Sequence, residues 1–391
     1  MPDSSLKVVH VVRQFHPGVG GLEKFVQALV EAQREAGIEA SVVTLNRLFH
    51  QPRVQTLPAT EVVEGIPVRR LHYVGSYKYP IAPGVLRAIA PADLVHVHGI
   101  DFFFDFLALT RSLHRKPLVA STHGGFFHTQ FAARLKRAYF RTITQLSCKA
   151  YGHILAISQG DYETFSQICQ PPKLKLVENG ADIDKFRGGG SRIPTRGLIF
   201  IGRFSDNKRL DKLLIAFACL AKLDEAYHLD IAGRDWDNNL VRLRRQIDSL
   251  GLQQRVKLHL GLTDDQLTSL TGHNSFVVSA SEYEGFGQTL LEGMAAGLFP
   301  LASPIPSFQR VVDATGVGQC LSFDDPELWA LKTHEQVNAV LDEYAAYRRQ
   351  ATRACGAFSF EQCSHTMIQI YKEMLGGREP PLDTQAMERP R

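Results

Sequence analysis

Short β-branched runs separated by helix-like stretches recur in two successive series, and this pattern constrains the fold more than any other feature of the chain. The first series is Lys7–Val12, Ala40–Leu45, Leu94–His98, Leu118–Thr122, Ile154–Ser158 and Leu174–Val177. The second is Gly197–Gly202, His228–Gly233, Val256–Leu260, Phe276–Ser279 and Phe299–Ala302. Runs this continuously apolar suit parallel strands covered on both faces, with helices as crossovers. The expected fold class is therefore α/β, with two doubly wound domains. At 391 residues the chain is long enough for each domain to bury its own core. Gly188-Gly189-Gly190 breaks both periodicities and marks the join. The expected domains are 1–187 and 191–360. A C-terminal helix over 361–376, patterned from Gln362 to Leu375, is free to cross back to the first domain. A Pro- and charge-rich stretch, 377–391, reads as a disordered tail.

Composition excludes more than it selects. Hydrophobic residues make up 44% and charged residues 21%, as in a globular protein. The start of the chain carries no basic stretch followed by an apolar one, and no run of eighteen apolar residues occurs, so any membrane contact is expected to be peripheral. The six cysteines lack metal-ligand spacing and read as free thiols. The net charge of +4 hides an asymmetry: Phe106 to Gly160 holds no acid and eight bases, a local positive field suited to anionic ligands or lipid head groups.

In open α/β sheets ligands sit beyond the carboxyl ends of the strands, so chemistry is sought in the strand-to-helix loops of two domains facing each other across a cleft. The first loop, Arg13 to Glu23, places Gly20 and Gly21 at the start of an amphipathic helix, where backbone N–H groups and the helix dipole favour an anion. As a dinucleotide fingerprint it fails, because the third glycine position is Glu23 and the second strand ends without a ribose-binding acid. In the second domain, Ser281 to Glu292 carries a richer constellation. The amides of Gly285, Phe286, Gly287, Gln288 and Thr289 can meet a diphosphate, while Glu284 and Glu292 can accept from hydroxyls of a sugar and a ribose. The competing reading makes both glutamates ordinary residues of a helix's first turns. The segment Gly202 to Leu210 reads as a strand ending in glycine and opening a helix, with Arg203 and Lys208 as cations for a diphosphate. Each cation at 4 Å contributes up to ~4 kcal/mol at an effective dielectric of ~20 before desolvation is subtracted, and two can stand in for a metal ion. In Ser121 to His128, glycines let backbone approach a ligand; His123 can then bond a sugar hydroxyl, or serve as a structural cap of the strand.

Gly20-Gly21, His123-Gly124-Gly125, Gly202-Arg203 with Lys208, and Glu284-x7-Glu292 together resemble the retaining glycosyltransferases of family four, with two Rossmann-like domains (the GT-B fold). The resemblance spans nearly the whole chain. It implies that Arg203 and Lys208 hold the diphosphate, Glu292 the ribose and Glu284 the donor sugar. His123 is expected near the reacting carbon, Gly21 near the phosphate, and the loop Gly233-Arg234-Asp235, with Arg234, near the nucleotide. Asp101, Gly20 and His128 are candidates on the acceptor side. Segments His10–Pro17, Tyr79–Pro83, His98–Phe103 and Ser121–His128 narrow the resemblance to mannosyltransferases of exopolysaccharide assembly. That narrower resemblance implies GDP-mannose as donor and a polyprenyl-diphosphate-linked disaccharide, cellobiosyl-diphosphopolyprenol, as acceptor, with no metal and no cofactor beyond the donor. A UDP-sugar donor and a non-catalytic nucleotide-sugar-binding protein are the alternatives.

Two further expectations follow. Asp182-Ile183-Asp184 is formally a metal-binding D-x-D, but its place at the join favours a turn. In 130–146, Phe131, Leu135, Tyr139, Ile143 and Leu146 are expected on one helical face and Arg134, Arg137 and Arg141 on the other, a helix able to lie on an anionic membrane. With a lipid-linked acceptor this implies a cytoplasmic, peripheral location on the inner membrane face. No nucleic-acid module accompanies the basic segment.

Overall fold

The computed structural model describes residues 5–18, 20–49, 56–77, 79–124, 137–181, 183–236 and 238–376. Gly125 to His128, Gln130 to Lys136 with Arg134, Asp182 and the tail 377–391 lie outside the described residues, so nothing is said of His128 or of the first half of the expected basic helix.

The chain divides into two compact units, Met1–Gly180 with Phe360–Arg391, and Ala181–Ser359. In the first, strands β1 (Lys7–Val12), β2 (Glu39–Leu45), β3 (Thr60–Val63), β4 (Ile66–Leu71), β5 (Val74–Ser76), β6 (Tyr79–Ile81), β7 (Leu94–His98), β8 (Leu118–Ser121), β9 (His153–Ala156) and β10 (Leu174–Leu176) follow in order. Eight of them form one sheet, β10-β9-β8-β7-β1-β2-β4-β3, parallel except for the edge hairpin β3–β4; β5 and β6 form a separate hairpin. The run VVHVV of β1 is buried throughout, as a strand covered on both faces must be. Helix α1 (Gly21–Glu35) buries Phe25, Val26, Leu29, Val30 and, unusually, Gln33. Helix α2 (Phe102–Leu109) starts at Asp101, which accepts a bond from the Phe103 amide at 2.9 Å. Helix α3 (Gln159–Phe165) is capped by Ser158.

The second unit holds one parallel sheet, β13-β12-β11-β14-β15-β16, from β11 (Gly197–Phe204), β12 (His228–Asp235), β13 (Val256–Leu260), β14 (Phe276–Ser279), β15 (Phe299–Ala302) and β16 (Gln319–Cys320). Helix α4 (Leu210–Leu220) follows β11, and helix α5 (Gln288–Ala296) follows β14. The last helix, α6 (Phe360–Met374), belongs to the first unit, where Met367 and Tyr371 share a buried cluster with Val26, Leu29 and Val30 of α1.

Several expectations are corrected. Residues 181–187 pack with the second unit, because Ala181, Ile183 and Phe186 are buried in its core. Strands β11 and β12 run past their glycines to Phe204 and Asp235, so Arg203 and Arg234 are in-register strand partners and not loop residues. The close approach requires Gly233: a Cβ there would fall 1.7 Å from the Gly202 carbonyl oxygen. Of the helix expected over 130–146, residues 137–146 are described. A π-helical turn occupies Phe140–Thr144, and Phe140, Thr144 and Ser147 are buried. Ile143 and Leu146 are 46% and 67% exposed, and Arg137 and Arg141 are exposed as well.

Candidate active site

Both sheets reverse their strand order at one place, between β1 and β7 in the first unit and between β11 and β14 in the second. The crevice beyond the carboxyl ends of such strands is where doubly wound sheets bind ligands. The predicted residues gather at these two switch points.

In the second unit, Lys208 sits in a 3₁₀ turn (Asp206–Lys208) between β11 and α4, and its ammonium is ion-paired with Glu284 from the loop after β14. Both side chains are largely buried, with 11% and 20% exposed. Ser281 also donates to Glu284, at 3.3 Å. The two loops are stitched together by the Glu282 amide on the Asn207 carbonyl at 2.9 Å and by the Asn207 side-chain amide on the Tyr283 carbonyl at 3.2 Å. Arg209 adds a bridge to Glu282, while binding Asp211 at 2.9 Å. Sequence reasoning passed over Arg209, yet it holds the loop that presents Glu284.

Helix α5 begins at Gly287, whose φ of 87° lies in the left-handed region. No side chain caps the helix, and the dipole at its open start favours an anionic ligand. Gly285 and Gln288 are exposed, Phe286 and Thr289 partly so. Glu292 is one turn further along and accepts from Gln288 at 2.9 Å. Arg203 is exposed, its guanidinium 4.9 Å from the centre of the Trp236 ring, and Arg234 is exposed beside it in the sheet. Helix-start amides, a buried lysine, surface arginines and two carboxylates thus share the switch point. This set can bind a nucleoside diphosphate and hydrogen-bond a sugar.

In the first unit, His123 follows β8 with a left-handed φ of 52°. That conformation is strained for a residue with a Cβ, and the surroundings impose it. Asp161 of α3 accepts from Thr122 Oγ1 at 2.5 Å and from the Gly124 amide at 3.1 Å, while the His123 ring bonds His98 at 3.0 Å and packs on the edge of Phe25. Desolvation pushes the His123 pKa down to about 3, so the ring is neutral. Asp101 lies beyond β7, 4.0 Å from Arg13, and burial raises its pKa to about 6. Its helix-capping bond gives it a structural task beside any contact with an acceptor. Gly20 is the extended N-cap of α1 and Gly21 its first residue.

Sequence reasoning missed Asp161 and, more substantially, four buried polar groups behind His123: His10, His96, His98 and Tyr371. The signal was legible, since histidines inside the apolar strands KVVHVV and LVHVH have no solvent to face. Asp184, half of the D-x-D, is ion-paired with Arg187 at 2.8 Å.

Comparison with known proteins places these features. Residues 19–185 match the family described as Glycosyltransferase Family 4, and residues 187–354 match Glycosyl transferases group 1. The chain is 41% identical, over 95% of its length and 98% of the relative's, to the GDP-mannose:cellobiosyl-diphosphopolyprenol alpha-mannosyltransferase of Xanthomonas oryzae pv. oryzae (strain PXO99A). It is 39% identical, over 97% of its length and 96% of the relative's, to the protein of the same name from Komagataeibacter xylinus. Among solved structures, Anabaena Alr3699/HepE in complex with UDP shares the fold, with a TM-score of 0.70 at 17% identity over 94% of this chain and 100% of that one. The chain belongs to the family-4 glycosyltransferases of the GT-B fold.

Proposed function

We propose that this chain is a retaining α-mannosyltransferase that moves mannose from GDP-mannose to cellobiosyl-diphosphopolyprenol during assembly of an exopolysaccharide repeat unit. The observation that carries the donor and the acceptor is the identity of about 40% to the enzymes named for that reaction, over nearly the full length of both chains. Lys208, Glu284 and the open start of α5 supply the matching chemistry.

In this reading the diphosphate lies over the first-turn amides of α5, with Lys208, Arg203 and Arg234 meeting the charge that develops as the glycosidic bond breaks. Glu292 accepts from the ribose, and Glu284 from hydroxyls of the mannose. His123 accepts a hydroxyl of the same sugar. The acceptor oxygen attacks from the face the diphosphate leaves, through an oxocarbenium-like transition state, and the departing phosphate takes its proton; α stereochemistry is thereby kept. No divalent metal is needed, because the cations and helix amides already oppose the diphosphate charge.

The membrane reading rests on a different surface. Among the described residues no helix is long and apolar enough to cross a bilayer. Ile143 and Leu146 instead stand exposed with Arg137 and Arg141, so one short segment offers both apolar insertion and attraction to anionic lipid at the cytoplasmic leaflet.

The test is product formation on a synthetic cellobiosyl-diphospholipid in EDTA, comparing GDP-mannose with GDP-glucose, UDP-glucose and UDP-galactose, with anomeric configuration read by NMR. An α-mannoside formed from GDP-mannose alone supports donor, acceptor class, retention and metal independence together. Transfer from a UDP sugar overturns the donor assignment, and loss of activity in EDTA overturns metal independence.

A further inference from the structure

His123 is the end of a buried hydrogen-bonded chain. His10 of β1 is the register partner of His96 in β7, and His98 follows two residues on, so the three rings share one side of the sheet. All three are buried, at 0%, 0% and 1% exposure. Gln33 of α1 and Tyr371 of α6 close over them. The Gln33 side-chain oxygen meets His10 Nε2 at 2.9 Å, His10 Nδ1 meets His98 Nε2 at 2.9 Å, and His98 Nδ1 meets His123 Nε2 at 3.0 Å. From the other end of the same amide, Gln33 Nε2 donates to the Tyr371 hydroxyl at 3.2 Å, which meets His96 Nδ1 at 2.6 Å, and His96 Nε2 meets Ser121 Oγ at 2.8 Å.

With the Gln33 nitrogen on Tyr371 and its oxygen on His10, the protons in this chain follow in order. Burial pushes the His10 pKa down to about 4 and holds those of His96 and His98 well below the ordinary value, so each ring is neutral and carries a single N–H. An amide oxygen only accepts, so His10 carries its proton on Nε2. Its bare Nδ1 then accepts from His98 Nε2–H, and the bare Nδ1 of His98 accepts from His123 Nε2–H. What remains on His123 is Nδ1 with its lone pair. Turning the Gln33 amide over would reverse every donor along both branches, so the orientation of this one amide, its nitrogen on Tyr371 and its oxygen on His10, sets the tautomer of His123. The same three rings also put nitrogens within 4.8 Å of one another, a spacing open to a metal ion. That use is disfavoured: their nitrogens are bonded to each other and to Gln33, Tyr371 and Ser121, and the rings of His10 and His98 are stacked 18° from parallel, so no lone pairs converge.

We propose that Gln33 and Tyr371 are positioning residues that, through His10 and His98, lock His123 as its Nε2–H tautomer and make Nδ1 a fixed hydrogen-bond acceptor for a substrate hydroxyl. The catalytic consequence rests on the reading that His123 meets the donor sugar; the tautomer lock does not. It gives the return of α6 to the first unit a functional use, since Tyr371 orients the amide from which the chain of donors starts.

The test uses the full-length enzyme labelled with ¹⁵N-histidine, with His123 assigned from the signal lost in His123→Asn. Long-range ¹H–¹⁵N correlations report which ring nitrogen carries the proton. Wild type should show the Nε2–H form alone. Gln33→Met removes the acceptor and should give a tautomer mixture, with kcat reduced about tenfold, the equivalent of one hydrogen bond, and KM for GDP-mannose within about twofold. Gln33→Glu still accepts from His10 and should retain the Nε2–H form and most of kcat. A single Nδ1–H form in wild type, or a tautomer unchanged in Gln33→Met, overturns the lock. A mixture in Gln33→Met with undiminished kcat leaves the lock standing and overturns the contact between His123 and substrate. If wild type transfers no mannose while its tautomers behave as stated, the proposed reaction fails and the lock is supported.

Discussion

The ammonium of Lys208 is ion-paired with the carboxylate of Glu284, seventy-six residues later in the chain and on the far side of the sheet's switch point. A largely buried pair of this kind neutralises a cation that a diphosphate would otherwise hold, and breaking it by removing one partner leaves the other charge exposed to any ligand that arrives. The two single variants should therefore behave oppositely towards GDP. Lys208→Ala leaves Glu284 facing the diphosphate, and GDP affinity should fall about 100-fold, with kcat/KM down on the order of 10² to 10³. Glu284→Ala releases Lys208, and GDP affinity should hold or rise while kcat falls. Calorimetry with GDP reads the difference; equal loss of affinity in both variants would falsify the arrangement. Glu284→Gln, which keeps hydrogen bonding to a sugar but no nucleophile, should retain substantial turnover, and Glu284→Ala should trap no covalent sugar, if the front-face path is right.

Glu292 lies on α5 beyond the amides proposed to face the diphosphate, and it is bonded to Gln288. A charged acceptor lost from a ribose hydroxyl costs about 1.5–3 kcal/mol, so Glu292→Ala should weaken GDP binding on the order of 10- to 100-fold with kcat at saturation little changed. The control is GDP lacking its ribose hydroxyls, which should bind wild type and variant alike. If the variant still discriminates against that analogue as strongly as wild type does, Glu292 is not the ribose contact.

The course of both sheets was legible because strands covered on two faces must be apolar throughout, and runs such as Val8–Val12 and Phe276–Ser279 admit little else. The loops proposed for the diphosphate stood out for a related reason: Gly287 and Lys208 break local pattern just beyond the carboxyl ends of β14 and β11. What the periodicity hid was set by tertiary contact. The π-helical turn at Phe140–Thr144 buries Phe140, and Tyr139 beside it bonds Asp105, contacts outside the segment that its own periodicity does not encode. The hairpin β3–β4 was missed because its strands are short and charged. The histidines behind His123 were visible one by one, but α1 and α6 bring Gln33 and Tyr371 to them across 338 residues, a pairing no local pattern encodes.

Those histidines also set an acid limit on stability. His10 has its pKa lowered to about 4 and His123 to about 3, while His96 and His98 lie well below the ordinary value, so the unfolded chain binds more protons than the native one between about pH 3 and 6.5. Stability therefore rises with pH through that window and is lost as pH falls from about 6.5 towards 4, by about 3 kcal/mol for His10 alone. Asp101 acts in the opposite sense: with its pKa raised to about 6, it favours the native state below that pH and costs stability as pH rises from about 4 to 6. Four histidines outweigh one aspartate, so denaturant unfolding of the wild-type protein should show stability falling steeply from pH 6.5 to 4. Asp101→Asn should make that fall steeper by removing the opposing group. An Asp101→Asn profile parallel to wild type would remove Asp101 from the titration.

The exposed pair Ile143 and Leu146 makes a prediction that the basic residues alone do not. If the segment merely solvates a core helix, Arg137 and Arg141 are its only link to anionic lipid and salt should abolish binding. If it inserts, the apolar side chains contribute as well, each on the order of 1.5–3 kcal/mol when fully withdrawn from water, against about 1 kcal/mol per arginine. Ile143→Ser with Leu146→Ser should therefore reduce partition onto vesicles of anionic phospholipid at least tenfold, and the binding left to wild type at high salt should vanish in this variant. Arg137→Ser with Arg141→Ser should reduce binding at low salt and leave the salt-resistant part. Both changes fall in the first unit and outside the residues proposed for the diphosphate, so GDP affinity serves as the control for folding. Vesicle binding undiminished in both double variants would remove this segment from the membrane contact.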